Sequence, residues 1–180
     1  MAAKTSVFYL TESLAADTSG ADVTDTIDLG AYVDVADRQG ILVHSVDFVW
    51  QGQTANGDWE PLLTTLNGNG NGTTQLTDLN RGKIVFADDR ALVASGHLSI
   101  DFANNQETSA SDLYPDNFGP TSAMGGRIVI NDQMYCRARW TGAIDPNKAV
   151  RCTVRVKCSV ITLSQKDFMA IALQSTAADN

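Results

Sequence analysis

Residues 150–163 read VRCTVRVKCSVITL, and this stretch limits the fold more than any other. Val150, Cys152, Val154, Val156, Cys158 and Val160 fall on one side of an extended chain, while Arg151, Thr153, Arg155, Lys157 and Ser159 fall on the other. A period of two with β-branched residues on the apolar side predicts a strand buried on one face. MYCRARWT (134–141) repeats the pattern, with Met134, Cys136, Ala138 and Trp140 opposite Tyr135, Arg137 and Arg139. A strand with one apolar face needs a second layer to cover it, so the chain is read as a sandwich or barrel.

The same spacing decides the chemistry of the cysteines. On a strand, Cys152 and Cys158 stand roughly 20 Å apart, too far to share a metal ion or a disulfide. With Cys136 they make an odd count of three, which suits reduced, buried thiols better than a disulfide framework.

Further strand signals are SVFYL (6–10), TIDLGAYVDV (26–35), ILVHSVDFVW (41–50), WEPLLTTL (59–66), TTQLTDL (73–79), KIVFAD (83–88), HLSIDF (97–102) and RIVI (127–130). Turn residues at Asp37–Gly40, Asn56–Asp58 and Asp145–Asn147 separate some of them. The period changes at Ser164, where a serine and Asp167 three positions on form a variant capping box. A helix over about 165–176 is expected, with Phe168, Ile171, Ala172 and Ser175 on one face and Met169 and Leu173 beside it. With no linker and no internal repeat, 1–180 reads as a single β-sandwich domain.

Two segments read as loops. NGNGNGTT (67–74) has the composition of a mobile tip. Its Asn67, Asn69, Asn71, Gly72 and Asp78 match calcium-loop positions, but the first three are neutral amides and no helices flank them. Residues 103–126 form a long polar insertion carrying Tyr114 and Phe118, which are expected to make contacts with a partner.

Charge is unevenly spread. Residues 1–126 hold 5 basic and 17 acidic residues, whereas 127–166 hold 8 basic and 2 acidic, in a chain of net charge −8. The connection GAIDPNK predicts a hairpin between the two alternating strands. That pairing would gather Arg137, Arg139, Arg151, Arg155 and Lys157 on one sheet face, where five like charges call for an anionic partner. The candidates are carboxylates of the same sheet, an acidic subunit, or the phosphates of packaged nucleic acid. The overall negative charge disfavours a protein that coats nucleic acid with its whole surface.

No catalytic signature is present. His44 and His97 lie within strand candidates away from any nucleophile, and Asp88–Asp89 beside Arg90 reads as a turn with a local ion pair. The chain is therefore read as a non-enzyme that needs no cofactor and no metal. No apolar run approaches the ~20 residues of a membrane span. The start, with Lys4 and a short apolar run from Val7 to Leu10, does not read as a signal peptide, which places the chain in the cytosol that makes it.

ILVHSVDFVW, HLSIDF, MYCRARWT and VRCTVRVKCSVITL, with SQKDFMAIAL appended, together resemble a single jelly-roll viral capsid protein over roughly residues 5–163. The resemblance implies an all-β, jelly-roll-like antiparallel β-sandwich of about eight strands with one short C-terminal α-helix. It implies a structural, self-assembling shell subunit, found in the virion and assembled in the host cytoplasm. Partners would be other copies of itself, further capsid proteins, and packaged nucleic acid at the basic face. Phe168, Ile171 and Leu173 of the helix would pack on their own sandwich or latch a neighbouring one. The competing reading is a β-sandwich carbohydrate- or partner-binding module of a larger assembly such as a phage tail, using Trp59 and the 103–126 loop.

Overall fold

The computed structural model describes residues 2–16, 19–112 and 126–177. Its elements, in chain order, are β1 (Ala2–Ala3), β2 (Phe8–Ala15), β3 (Asp22–Asp28), β4 (Gln39–Gln53), β5 (Trp59–Glu60) and the single helical turn α1 (Leu62–Thr65). There follow β6 (Leu66–Thr77), β7 (Leu92–Asp101), β8 (Gln106–Asp112), β9 (Arg127–Val129), β10 (Gln133–Ile144), β11 (Ala149–Thr162) and α2 (Gln165–Ala177). The strands make two antiparallel sheets. The first runs β1-β11-β4-β5, with β2 also on β11 and β9 also on β4; the second runs β3-β10-β6-β7-β8.

The pairing pattern defines the winding. Setting aside the two-residue strands β1 and β5 and the added edge β8, the eight principal strands pair first with eighth, second with seventh, third with sixth and fourth with fifth. These pairs are β2·β11, β3·β10, β4·β9 and β6·β7. Successive pairs fall in alternate sheets, so one long folded ribbon is rolled around a single core. That is the jelly roll, with α2 appended.

The predicted hairpin between the two alternating strands does not form. β10 pairs with β3 and β6 in the second sheet, and β11 pairs with β2 and β4 in the first. The apolar faces still meet, but across the core instead of side by side. Met134, Cys136, Ala138 and Trp140 from one sheet and Val150, Cys152, Val154, Val156 and Cys158 from the other are fully buried. All three cysteines are free thiols in this layer. Burial pushes the thiols of Cys152 and Cys158 up to about 12 and raises that of Cys136 further, so they stay protonated near neutral pH.

NGNGNG is not a loop tip. It lies in the middle strand of the second sheet, with Gly70 and Gly72 buried and Asn67, Asn69 and Asn71 exposed. The glycines are required by aromatic rings. A Cβ on Gly70 would stand 2.3 Å from a ring carbon of Trp140, and one on Gly72 would stand 2.7 Å from a ring carbon of Trp50. Gly96 on β7 meets Phe48 in the same way, at 2.6 Å. Trp50 and Trp140 come from opposite sheets and pack on each other with ring centroids 5.7 Å apart, tilted by 55°.

Four further expectations change. TIDLGAYVDV is strand only to Asp28, and the chain turns from Gly30. WEPLLTTL divides into β5, α1 and the first residue of β6. KIVFAD joins no sheet; instead the Gln75 amide exchanges two hydrogen bonds with the Val85 backbone, at 2.7 and 2.8 Å, as a strand partner would. The 103–126 insertion begins with a polar edge strand, β8, paired to β7.

Gly70→Ala is expected to destabilise the fold by about 1–3 kcal/mol through overpacking against Trp140. Gly68→Ala, with nothing within 4 Å of the added carbon, serves as the control. Urea-denaturation midpoints compare the two; equal midpoints would show that the ring does not dictate the glycine.

Candidate interface

The split of β10 and β11 between sheets separates the five cations. Arg137 and Arg139 lie on the outside of the second sheet, where β3 runs beside them. Asp22 accepts from Arg139 Nε at 2.6 Å and lies 3.6 Å from Arg137 Nη1. This pair holds the Arg139 guanidinium more firmly protonated than usual. The two guanidinium groups thus share one carboxylate of the same chain.

Arg151, Arg155 and Lys157 stand on the outside of the first sheet, along its central strand β11. Arg151 Nε donates to Gln53 Oε1 at 2.6 Å. The Arg155 guanidinium lies over the Tyr9 ring, 5.4 Å from its centroid. Among the described residues none of these three cations has a carboxylate within ion-pair distance. Asp47, opposite Arg155 on β4, makes no such pair. On the edge of the second sheet, Asp25 and Asp28 of β3 are exposed, as are Asp34 and Asp37 in the turns that follow. The molecule presents a cationic sheet face and a separate acidic edge.

The helix follows its capping signal. Ser164 Oγ accepts the Asp167 backbone N–H at 3.2 Å and donates to its carboxylate at 2.8 Å. Phe168 and Ile171 are buried against Leu42, Ile128, Ile161 and Leu163, so α2 seats on the outside of its own first sheet. Leu173 does not join them; it is 67% exposed. Between α2 and the turn before β4 lies a groove of about 340 Å³, lined by Val35, Ala36, Arg38, Gln165, Phe168 and Met169.

A buried ion pair, missed in the sequence, joins the two sheets. Arg127 at the start of β9 donates to Asp78, just past β6, at 2.8 Å and to the Arg90 carbonyl at 2.5 Å. Asn131 Nδ2 donates to the Asp78 carbonyl, and the Asp78 N–H donates to the Ala91 carbonyl. The 78–91 segment is therefore closed at both ends, as in an Ω-loop. Inside it Asp89 pairs with Arg81 at 3.1 Å, and not with the adjacent Arg90 that the sequence suggested. Only the basic residue opening RIVI hinted at this pair, since an arginine next to an apolar run needs a partner once buried.

Tyr114 and Phe118 lie outside the described residues. His44 bonds Ser159 at 3.0 Å and His97 is exposed beside Thr73. Among the described residues no cluster of three or more His, Cys, Asp or Glu could hold a metal ion, and no helix is long and apolar enough to cross a membrane. With its asparagines on one side of a strand, 67–72 does not curl as a calcium loop must.

The sequence matches no protein-family model and no curated protein. Among solved structures the chain is similar to one from Desmodium yellow mottle tymovirus, at 6% identity over 89% of this chain and 91% of that one, with a TM-score of 0.30. It is also similar to VP1 of the Trichodysplasia spinulosa-associated polyomavirus. In complex with GM1 oligosaccharide that structure gives 7% identity, 91% and 97% coverage and a TM-score of 0.39. In complex with 6'-sialyllactose it gives 8% identity, 89% and 97% coverage and a TM-score of 0.39. The jelly-roll assignment itself rests on the strand pairing described above.

Burial holds the Asp78 carboxyl above its ordinary range, against the pull of Arg127. The folded chain thus keeps this proton to higher pH than the unfolded chain does. The group's contribution to stability is greatest in acid and falls as pH rises from the ordinary carboxylate value through the raised one. Asp78→Asn is expected to cost about 3–5 kcal/mol at neutral pH, because Arg127 loses its buried counter-charge. The deficit should widen in mild acid, because the wild type gains stability as its carboxyl is protonated while the asparagine variant has no proton to take up there. Urea unfolding at both pH values measures this; equal stability at neutral pH would remove the latch.

Proposed function

We propose that this chain is a structural, self-assembling protein, a viral capsid (shell) subunit, and that it performs no catalysis. The observation that carries the reading is the row Arg151, Arg155 and Lys157 on the outer face of the first sheet, which among the described residues has no carboxylate within ion-pair distance. This row belongs to a chain of net charge −8 with an exposed acidic edge elsewhere. A patch of one sign on one surface and the opposite sign on another favours head-to-tail contacts between identical copies, which close into rings or shells when the rotation permits. The jelly-roll winding fits this role without proving it, since the fold serves many functions. In such a shell the chain's main partner is itself, with other capsid proteins alongside. Phosphates of packaged nucleic acid are the other anion that the cationic row would accept. The site of action would be the virion, assembled in the host cytoplasm.

A second reading, a carbohydrate- or partner-binding module of a larger assembly, draws on Trp59, which is 65% exposed on β5. A single exposed ring supports it less than three clustered cations support the first.

The test is the double variant Arg151→Ala, Arg155→Ala beside the wild type, followed by light scattering and negative-stain imaging. The wild type should form large species that loosen as salt screens the contact over a length of about 8–10 Å. The variant should assemble poorly with only a small drop in melting temperature, because both side chains lie on the outer face and give up within the chain the Gln53 hydrogen bond and the Tyr9 ring contact. Wild-type assembly by the variant would remove the electrostatic interface. Saturable sugar binding that is lost with Trp59→Ala would favour the second reading.

A further inference from the structure

Phe86 is 86% exposed, an unusual state for a phenylalanine on an ordered segment. Its backbone is held from both directions along the chain. Val85, immediately before it, is buried and carries the two hydrogen bonds to Gln75. The Phe86 carbonyl accepts the Asp89 N–H, and Asp89 is fixed by Arg81. The loop as a whole is closed by Arg127 and Asp78. A rigidly presented aromatic ring loses little freedom on docking, and for that reason such rings serve as anchors at interfaces.

The same chain also carries a largely apolar groove. The groove between α2 and the turn before β4 is lined by Val35, Ala36, Phe168 and Met169, with Arg38 as the charged side chain of its lining. Its volume of about 340 Å³ exceeds the roughly 150 Å³ that suffices for a benzene ring in a protein cavity. Asp88, exposed two residues beyond Phe86, can meet Arg38, the one cation of a turn that also carries the exposed Asp34 and Asp37.

We infer that Phe86 of one copy inserts into the groove formed by Val35, Ala36, Phe168 and Met169 of a second copy, with Asp88 placed against Arg38. This rests on the self-assembly reading and names one of its contacts. The contact is heterologous, because ring and groove are different surfaces of the same chain.

The experiment uses Phe86→Ser, Met169→Glu and their equimolar mixture, beside the wild type, with species resolved by light scattering after size separation. Both positions are exposed, so unchanged far-UV spectra and melting curves are expected. Each variant alone should raise the concentration for half-assembly by about thirtyfold, the loss typical of an aromatic anchor. The mixture should recover a two-chain species, since the intact ring of Met169→Glu meets the intact groove of Phe86→Ser. If the wild type assembles and Phe86→Ser assembles equally well, the ring contact is overturned while the self-assembly reading stands. If Phe86→Ser fails but Met169→Glu behaves as wild type, the ring docks elsewhere and the groove assignment is overturned. A wild type that stays monomeric at every concentration removes both readings together.

Discussion

The packing of Trp50 and Trp140 over the stretch of β6 that carries only glycine on its inner face is the constraint on which the rest of the structure depends. Two indole rings placed between sheets would force them apart. Gly70 and Gly72 on β6, and Gly96 on β7 beneath Phe48, give back that space. The sheets can therefore close over the rings. The Cα–H faces of the glycines support the rings, and the rings cover a backbone that would otherwise be exposed to a void. Where no ring intrudes, the inner layer returns to Leu76, Met134, Cys136, Val154 and Val156.

With the sheets locked in this way, the two strands of alternating basic residues face each other across the core. Their charges point outward in opposite directions. One pair shares the carboxylate of Asp22 on a neighbouring strand, and the other row has no acid within ion-pair distance among the described residues. The asymmetry of the surface is thus a consequence of topology more than of composition. The Arg127–Asp78 pair adds the rigidity that the ends of a sandwich lack, by tying the short strand β9 of the first sheet to the exit of β6 in the second. It also closes the loop that presents Phe86. Helix α2 covers the outside of the first sheet at one end and leaves Met169 and Leu173 in solvent.

Much of this was legible in the sequence, because period and polarity are local. The alternation in 134–140 and 150–160 identified both strands and their buried faces, and the odd cysteine count identified core thiols. Ser164 and Asp167 marked the helix start. Strand partners were not legible, because the hairpin reading of GAIDPNK competes with a crossover between sheets that uses a connection of similar length. NGNGNG was misread because glycine and asparagine favour turns. Its own period of two, asparagine out and glycine in, was the available signal, and it becomes decisive only when the rings that need the space are known. KIVFAD failed as a strand because a side chain, Gln75, supplied the partner that a strand would have supplied. Local propensity records a preference for extended chain, and tertiary contacts decide whether a sheet uses it.

The functional account concerns a surface that a single copy leaves incomplete, and the mass of the particle in solution tests it most directly. Sedimentation velocity of the purified chain, across a range of concentration and salt, gives that mass without staining or tags. The account predicts closed multi-subunit species at low salt that dissociate as the ionic strength rises. A single 19.3 kDa species under every condition would contradict it.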